Sequence, residues 1–185
     1  NVLNSTSNKN LIESWHDAVH LKEEAQSKFL LGLISLADRA LIERIYWGIC
    51  RKIEKISSRL KFLPDDISNL RTRLADKYFC NFSVFQSVPD SWAIDQVFPV
   101  VPLHRLNEEP DRDATLADIT CDSDGRIDNF IGTNLGTENT LRVHSLKENE
   151  SYALCIFLTG AYQEILGDLH NLFGDTNTVH VSLKE

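Results

Sequence analysis

Methionine is absent from all 185 residues, and the chain opens on Asn1. A sequence with no initiator is expected to be either a processed product or a piece of a longer polypeptide, and the second reading is preferred. No CxxC pair links Cys50, Cys80, Cys121 and Cys155, so a zinc knuckle or a thioredoxin-type site has no support. Four cysteines are too sparse for a disulfide scaffold, which points to a reducing, cytoplasmic setting. The longest apolar runs, Phe29–Ile34 and Ala153–Leu158, fall far short of the roughly 20 residues a membrane helix needs. No positive n-region with a hydrophobic stretch behind it marks a signal peptide. Basic residues are also scarce: Lys+Arg is 19 against Asp+Glu 27, a net charge of −8. An acidic chain without a basic cluster is a poor partner for a phosphate backbone, so nucleic acid is not expected.

What remains is an ordinary soluble composition, 42% hydrophobic and 25% charged. The fold class predicted is α+β, a helical bundle of about three helices followed by a mostly antiparallel β-domain with one helix. Leu11, Trp15, Ala18, Val19, Ala25, Phe29, Leu30 and Leu33 recur at helical spacing. Ser35 and Asp38 form a capping box with Asp in place of the usual Glu. A second stripe follows at Leu41, Ile45, Ile49, Ile53, Ile56 and Leu60. Pro64 and Asp65 open a third, shorter helix that turns Ile67, Leu70 and Leu74 inward. Beyond Tyr78 the chain reads as short strands: Phe82–Phe85, Phe98–Val101, Thr115–Thr120, Ile127–Ile131, Leu141–Leu146, Tyr152–Leu158 and a last one at Thr178–Leu183. The single helix of this half is expected over Ala161–Leu172. The two domains are accordingly drawn as residues 1–78 and 79–185.

Two runs could carry chemistry. Cys121-Asp122-Ser123-Asp124-Gly125 ends the apolar strand Leu116–Thr120, a position where a rigid scaffold presents reactive groups. Calcium is one reading, with Asp122, Asp124, Gly125 and Asp128 at positions 3, 5, 6 and 9 of an EF-hand loop; it leaves Ile131 at position 12, where a carboxylate is required. A plain polar turn is a second reading, since Asp and Ser are common in turns. In the third, the Cys121 thiol exchanges a proton while the acids face a cationic substrate. A thiol with its ordinary pKa of about 8.5 stays protonated at neutral pH, and neighbouring carboxylates disfavour the thiolate, which suits a general acid better than a nucleophile. A carboxylate can also pair with a guanidinium in bidentate fashion. The other run is Thr159-Gly160-Ala161-Tyr162-Gln163-Glu164, where strand meets helix. Tyr162 in the first helical turn could offer its hydroxyl to an anion, or could simply pack there. His16 and His20 stand one helical turn apart without an evident third ligand, so no metal site is expected.

With these residues in view, the sequence resembles the biosynthetic arginine decarboxylases, pyridoxal-phosphate enzymes of polyamine synthesis. The likeness is carried by Ser83-Val84-Phe85-Gln86-Ser87, Pro89-Asp90-Ser91-Trp92, Phe98-Pro99, Pro102 to Leu106, Leu116 to Gly125, Gly160 to Glu164 and His170 to Asp175. These segments run in order through nearly the whole second half, and the first half resembles the helical insertion of that family. The resemblance implies a parent fold of a (β/α)8 barrel followed by a β-domain, with this chain supplying only the post-barrel portion. The Schiff-base lysine, glycine-rich phosphate loop and pyridine-pairing carboxylate of the family lie on the barrel, and this sequence offers no counterpart of them. The chain alone is therefore expected to be inactive. By the same resemblance Cys121 is the catalytic residue that returns a proton to the substrate Cα. Asp122, with Asp124 more weakly, is substrate-binding from across a dimer interface, and Tyr162 holds the cofactor phosphate. The implied cofactor is pyridoxal 5'-phosphate, with Mg2+ a further candidate in the full-length enzyme. L-arginine is the implied substrate, and a homodimer or higher homo-oligomer the implied assembly. Decarboxylation of another basic amino acid, or a non-catalytic module derived from the β-domain, are the alternatives.

Overall fold

The computed structural model describes residues 8–57, 67, 69–119, 125–132, 136–167 and 175–183. It divides into two compact units, Asn1–Leu74 and Ala75–Glu185. Strand β1 (Asp76–Phe79) belongs to the second unit and spans residue 78, the position at which the sequence changes character.

In the first unit, α1 (Asn8–Leu30) and α2 (Leu36–Ser57) are followed by the short α3 (Leu70–Leu74). The end of α1 explains the turn. Gly32 adopts φ +70°, its N–H donates to the Phe29 carbonyl at 3.0 Å, and the Leu33 N–H donates to Lys28 at 2.9 Å. This is a Schellman cap, whose left-handed residue is glycine because a Cβ is costly there. The start of α2 is the reciprocal box read from the sequence. The Asp38 N–H donates to Ser35 Oγ at 3.1 Å, and the Ser35 N–H donates to the Asp38 carboxylate at 3.1 Å. The Ser35 bonds hold the Asp38 carboxyl below its usual range.

The core of this unit gathers Leu11, Trp15, Ala18, Tyr46, Cys50, Ile53, Ile67 and Leu70. The buried face of α2 is therefore rotated from the stripe expected: Tyr46, Cys50, Ile53 and Ser57 are buried, whereas Leu41 and Ile45 are more than half exposed. Trp15 draws the aromatic ring of Tyr46 to a centroid distance of 6.1 Å, and aromatic burial outweighs the aliphatic periodicity. Ile67 and Leu70 are inward as expected. Pro64 and Asp65, expected to open that helix, lie outside the described residues, as does Leu60.

The second unit is organised on β3 (Arg112–Ala117). On one side it pairs in parallel with β1, from Asp76 with Ala114 to Phe79 with Ala117. Its other side is shared by two antiparallel partners. β7 (Leu141–Val143) covers residues 112–114, and β4 (Arg126–Ile127) covers Leu116 and Ala117. Two further antiparallel pairs are β2 (Val100–Pro102) with β8 (Leu154–Ile156), and β5 (Phe130–Ile131) with β6 (Thr137–Glu138). Ala114 and Leu116 alternate inward from β3 onto Tyr78, Phe82, Val84, Phe98, Ile127, Phe130 and Val143. Burying a side chain such as Leu116 contributes about 1.5–3 kcal/mol.

The unit is thus mostly antiparallel, but among the described residues three short helices stand where one was expected: α4 (Val84–Ser87), α5 (Pro89–Ala93) and α6 (Ala161–Leu166). The strand-like run Phe82–Phe85 turns helical because Ser83 caps it, its Oγ accepting the Gln86 N–H at 3.4 Å. No strand forms over Thr178–Leu183. Val179 and Val181 are more than 70% exposed, and among the described residues no sheet edge pairs with them.

A buried polar network closes one end of this unit. His144 is 3% exposed; its Nε2 donates to the Glu108 carbonyl at 3.0 Å, and its Nδ1 meets the Tyr152 hydroxyl at 2.8 Å. The Tyr78 hydroxyl donates to the His144 carbonyl at 2.7 Å. The Arg105 guanidinium lies 5.1 Å from the centroid of the Tyr152 ring and donates to the Ser145 carbonyl at 2.7 Å. Every hydrogen-bonding atom of the His144 ring is used, as a buried imidazole requires.

Cys80, just past β1, carries a thiol that burial pushes up to about 11 from 9.0. The folded chain therefore holds this proton more tightly than the unfolded chain. That stabilisation is complete below pH 9.0 and is lost as pH climbs toward about 11. At pH 8 the folded chain is expected to alkylate Cys80 about a hundredfold more slowly than the urea-unfolded chain. Mass-spectrometric timing of iodoacetamide labelling measures this, and equal rates would contradict it.

Candidate functional site

Strand β3 delivers the chain to the first run of interest. After Ala117, the Asp118 N–H donates to the Gly125 carbonyl at 2.9 Å, and Leu116 and Ala117 pair with Ile127 and Arg126. Asp118 and Gly125 are thus the closing pair of a hairpin stem, and residues 119–124 connect its two sides. Cys121, Asp122, Ser123 and Asp124 lie outside the described residues, so the roles of Cys121, Asp122 and Asp124 are taken up below as proposals. The flanks of the run are β-strands, whereas an EF-hand loop sits between helices. The calcium reading is dropped on that ground. Asp128 is instead paired with Arg126 at 2.9 Å.

The stem is anchored by a residue that the sequence reading passed over. Asp118 is 5% exposed, and its Oδ2 accepts the Val84 N–H at 2.8 Å. This bond satisfies a first-turn donor of α4, so one carboxylate joins the hairpin to the helix 34 residues earlier in the chain. Among the described residues its Oδ1 has no hydrogen-bond partner. Gly125 is packed directly against this carboxylate: a Cβ there would come 2.1 Å from Oδ2 and 2.3 Å from Oδ1. The glycine closing the Cys121–Gly125 run is needed for space, not for an unusual φ. The available signal was an acid inside the apolar stretch Leu116-Ala117-Asp118-Ile119.

Tyr162 stands second in α6, after Gly160 in an extended conformation, and is 74% exposed. The helix described is Ala161–Leu166; residues 168–172 of the helix expected to Leu172 lie outside the described residues. Gly167 leaves the helical region with ψ 116°, and it lies so close to α4 that a Cβ would come 2.0 Å from the Gln86 carbonyl oxygen. Six residues provide little dipole, so any interaction of Tyr162 with an anion rests on its hydroxyl. That hydroxyl has no hydrogen-bond partner among the described residues, and an exposed phenol donor fits one contact to a phosphate. Gln163, the next residue, is 6% exposed and bound to Asp90, another pairing the sequence reading missed.

Comparison with known proteins supplies the context for this arrangement. The profile of the arginine decarboxylase helical bundle domain matches residues 1–71. Biosynthetic arginine decarboxylase of Bacteroides thetaiotaomicron is 58% identical over 184 residues, which is 100% of this chain and 29% of that protein. The enzyme of the same name from Gloeobacter violaceus is 55% identical, over 94% of this chain and 27% of its own length. Among solved structures, the biosynthetic arginine decarboxylase of Campylobacter jejuni aligns with TM-score 0.64 and 36% identity, covering 90% of this chain and 25% of that one. The chain thus spans a little over a quarter of the length of these relatives. In sequence and in fold it is similar to one segment of the biosynthetic arginine decarboxylases.

Proposed function

We propose that the chain serves as the part of a pyridoxal-phosphate-dependent arginine decarboxylase that completes the active site across a dimer interface. The observation that supports this reading is the 58% identity, over 184 residues, to a protein named biosynthetic arginine decarboxylase. The cofactor, when bound, supplies the electron sink for loss of CO2. The residues of this chain do the rest of what is assigned here. Cys121 delivers a proton to the substrate Cα after CO2 leaves, fixing the amine agmatine as product. Asp122 faces the guanidinium of L-arginine, with Asp124 as a weaker second acid. Tyr162 donates a hydrogen bond to the cofactor phosphate. The hairpin stem at Asp118 and Gly125 supports the first of these roles, because positioning a proton donor to within a fraction of an ångström needs a fixed base. The cofactor-bearing lysine belongs to the barrel, so the 185-residue piece alone is expected to form no agmatine.

Substrate choice is tested by product analysis. An intact decarboxylase carrying this segment, loaded with pyridoxal phosphate, is given arginine, ornithine and lysine in turn. Arginine is expected to exceed the other two in kcat/KM by about a hundredfold or more, since a carboxylate pairs with a planar guanidinium through two parallel hydrogen bonds but with an ammonium only as a point charge. Comparable turnover of ornithine or lysine would contradict the assignment.

A further inference from the structure

Helix α6 has six residues, fewer than an isolated helix needs to hold itself together. Its placement is set from below. Gln163 makes two bonds to a single residue: its Oε1 accepts the Asp90 N–H at 3.1 Å, and its Nε2 donates to the Asp90 carboxylate. Asp90 lies in the first turn of α5. At the far end of α6, Gly167 abuts the Gln86 carbonyl, and Gln86 donates to Asp175 at 2.9 Å. Gln163 is 6% exposed while its neighbour Tyr162 is 74% exposed. Adjacent helical residues diverge by about 100°, so a side chain fixed inward at 163 sets the direction taken at 162.

We propose that the Gln163–Asp90 pair is a positioning clamp that aims the Tyr162 hydroxyl at the cofactor phosphate. The proposal rests on the assignment of Tyr162 made above. Both partners are required: the amide supplies one donor and one acceptor, and Asp90 offers the complementary N–H and carboxylate in a fixed geometry. Exchanging the two chemistries keeps the pair with its polarity reversed, whereas changing Gln163 alone sets two carboxylates against each other.

The test uses the intact apoenzyme titrated with pyridoxal phosphate and followed by absorbance, which reads affinity directly. Gln163→Glu is expected to raise the cofactor dissociation constant about tenfold, and the exchange Gln163→Glu with Asp90→Asn to bring it back within about threefold. Tyr162→Phe is expected to weaken binding to a similar extent. Adding Tyr162→Phe to Gln163→Glu should then produce no further loss, because a misaimed hydroxyl has nothing left to contribute. Should Gln163→Glu not fold, Gln163→Met removes both bonds at similar volume and gives the same readout. Unchanged affinity in the Gln163 variants, or losses that add to that of Tyr162→Phe, would overturn the clamp. Unchanged affinity in Tyr162→Phe alone would instead overturn the reading of Tyr162 beneath it.

Discussion

Gly125→Ala is expected to destabilise the second unit by about 2–4 kcal/mol, a large effect for one methyl group. The cause is local and specific. The new Cβ would fall 2.1 Å from Asp118 Oδ2 and 2.4 Å from Cγ, well inside any real contact. The carboxylate cannot step aside cheaply, because it is buried and holds the Val84 N–H at 2.8 Å. Moving it leaves that donor unsatisfied, and moving the glycine breaks the Asp118–Gly125 backbone bond that closes the stem. Urea unfolding monitored by circular dichroism measures the loss. A second variant identifies its origin. Asp118→Ala alone should destabilise through the orphaned Val84 N–H, but Asp118→Ala combined with Gly125→Ala should cost clearly less than the two changes summed. Strict additivity would mean that the glycine serves some purpose other than making room for the carboxylate.

In an intact decarboxylase carrying this segment, Cys121→Ala is expected to lower agmatine kcat by about 10²- to 10⁴-fold, the range spanned by a positioned proton donor. Arginine and cofactor should still bind, so KM stays close to its starting value while kcat falls; this pattern marks an interaction made only in the transition state. An ordinary thiol titrates at about 8.5 and so is protonated at neutral pH, the form that a donor needs. Cys121→Ser should recover little, since a hydroxyl is a far weaker acid. Steady-state assay of agmatine at saturating cofactor decides the matter, and unchanged turnover in Cys121→Ala would reject the role given to the thiol.

How much of this was legible depended on whether the deciding partner was near in sequence. Ser35 and Asp38 announce the start of α2 because a capping box is complete within four residues. A strand through Leu116 was likewise legible, but it runs over Arg112–Ala117 and not over the Thr115–Thr120 expected. Other features are settled by distant groups. Leu41 and Ile45 look like core, yet Trp15 on α1 selects Tyr46 and Cys50 in their place. The run Phe82–Phe85 has the composition of a strand, but Ser83 and the remote Asp118 carboxylate satisfy the donors of a helical turn there. Thr178–Leu183 has the pattern of a strand but pairs with no strand among the described residues. Within the candidate site, the Cys121 and Tyr162 runs stood out by residue type. Their supports, Asp118 with Gly125 and Gln163 with Asp90, are contacts across 34 and 73 residues or packing limits that no local window contains.

The central claim, that this segment lends Cys121 to a neighbouring subunit's pocket, is tested most directly by mixing two inactive enzymes. One carries Cys121→Ala; the other is intact here but lacks its cofactor lysine on the barrel. If each active site draws on both subunits, random exchange yields hybrids with one complete site, and activity should recover to about a quarter of the wild-type level. If the mixture stays as inactive as its components after subunit exchange has been demonstrated, the thiol does not act across the interface and the account fails.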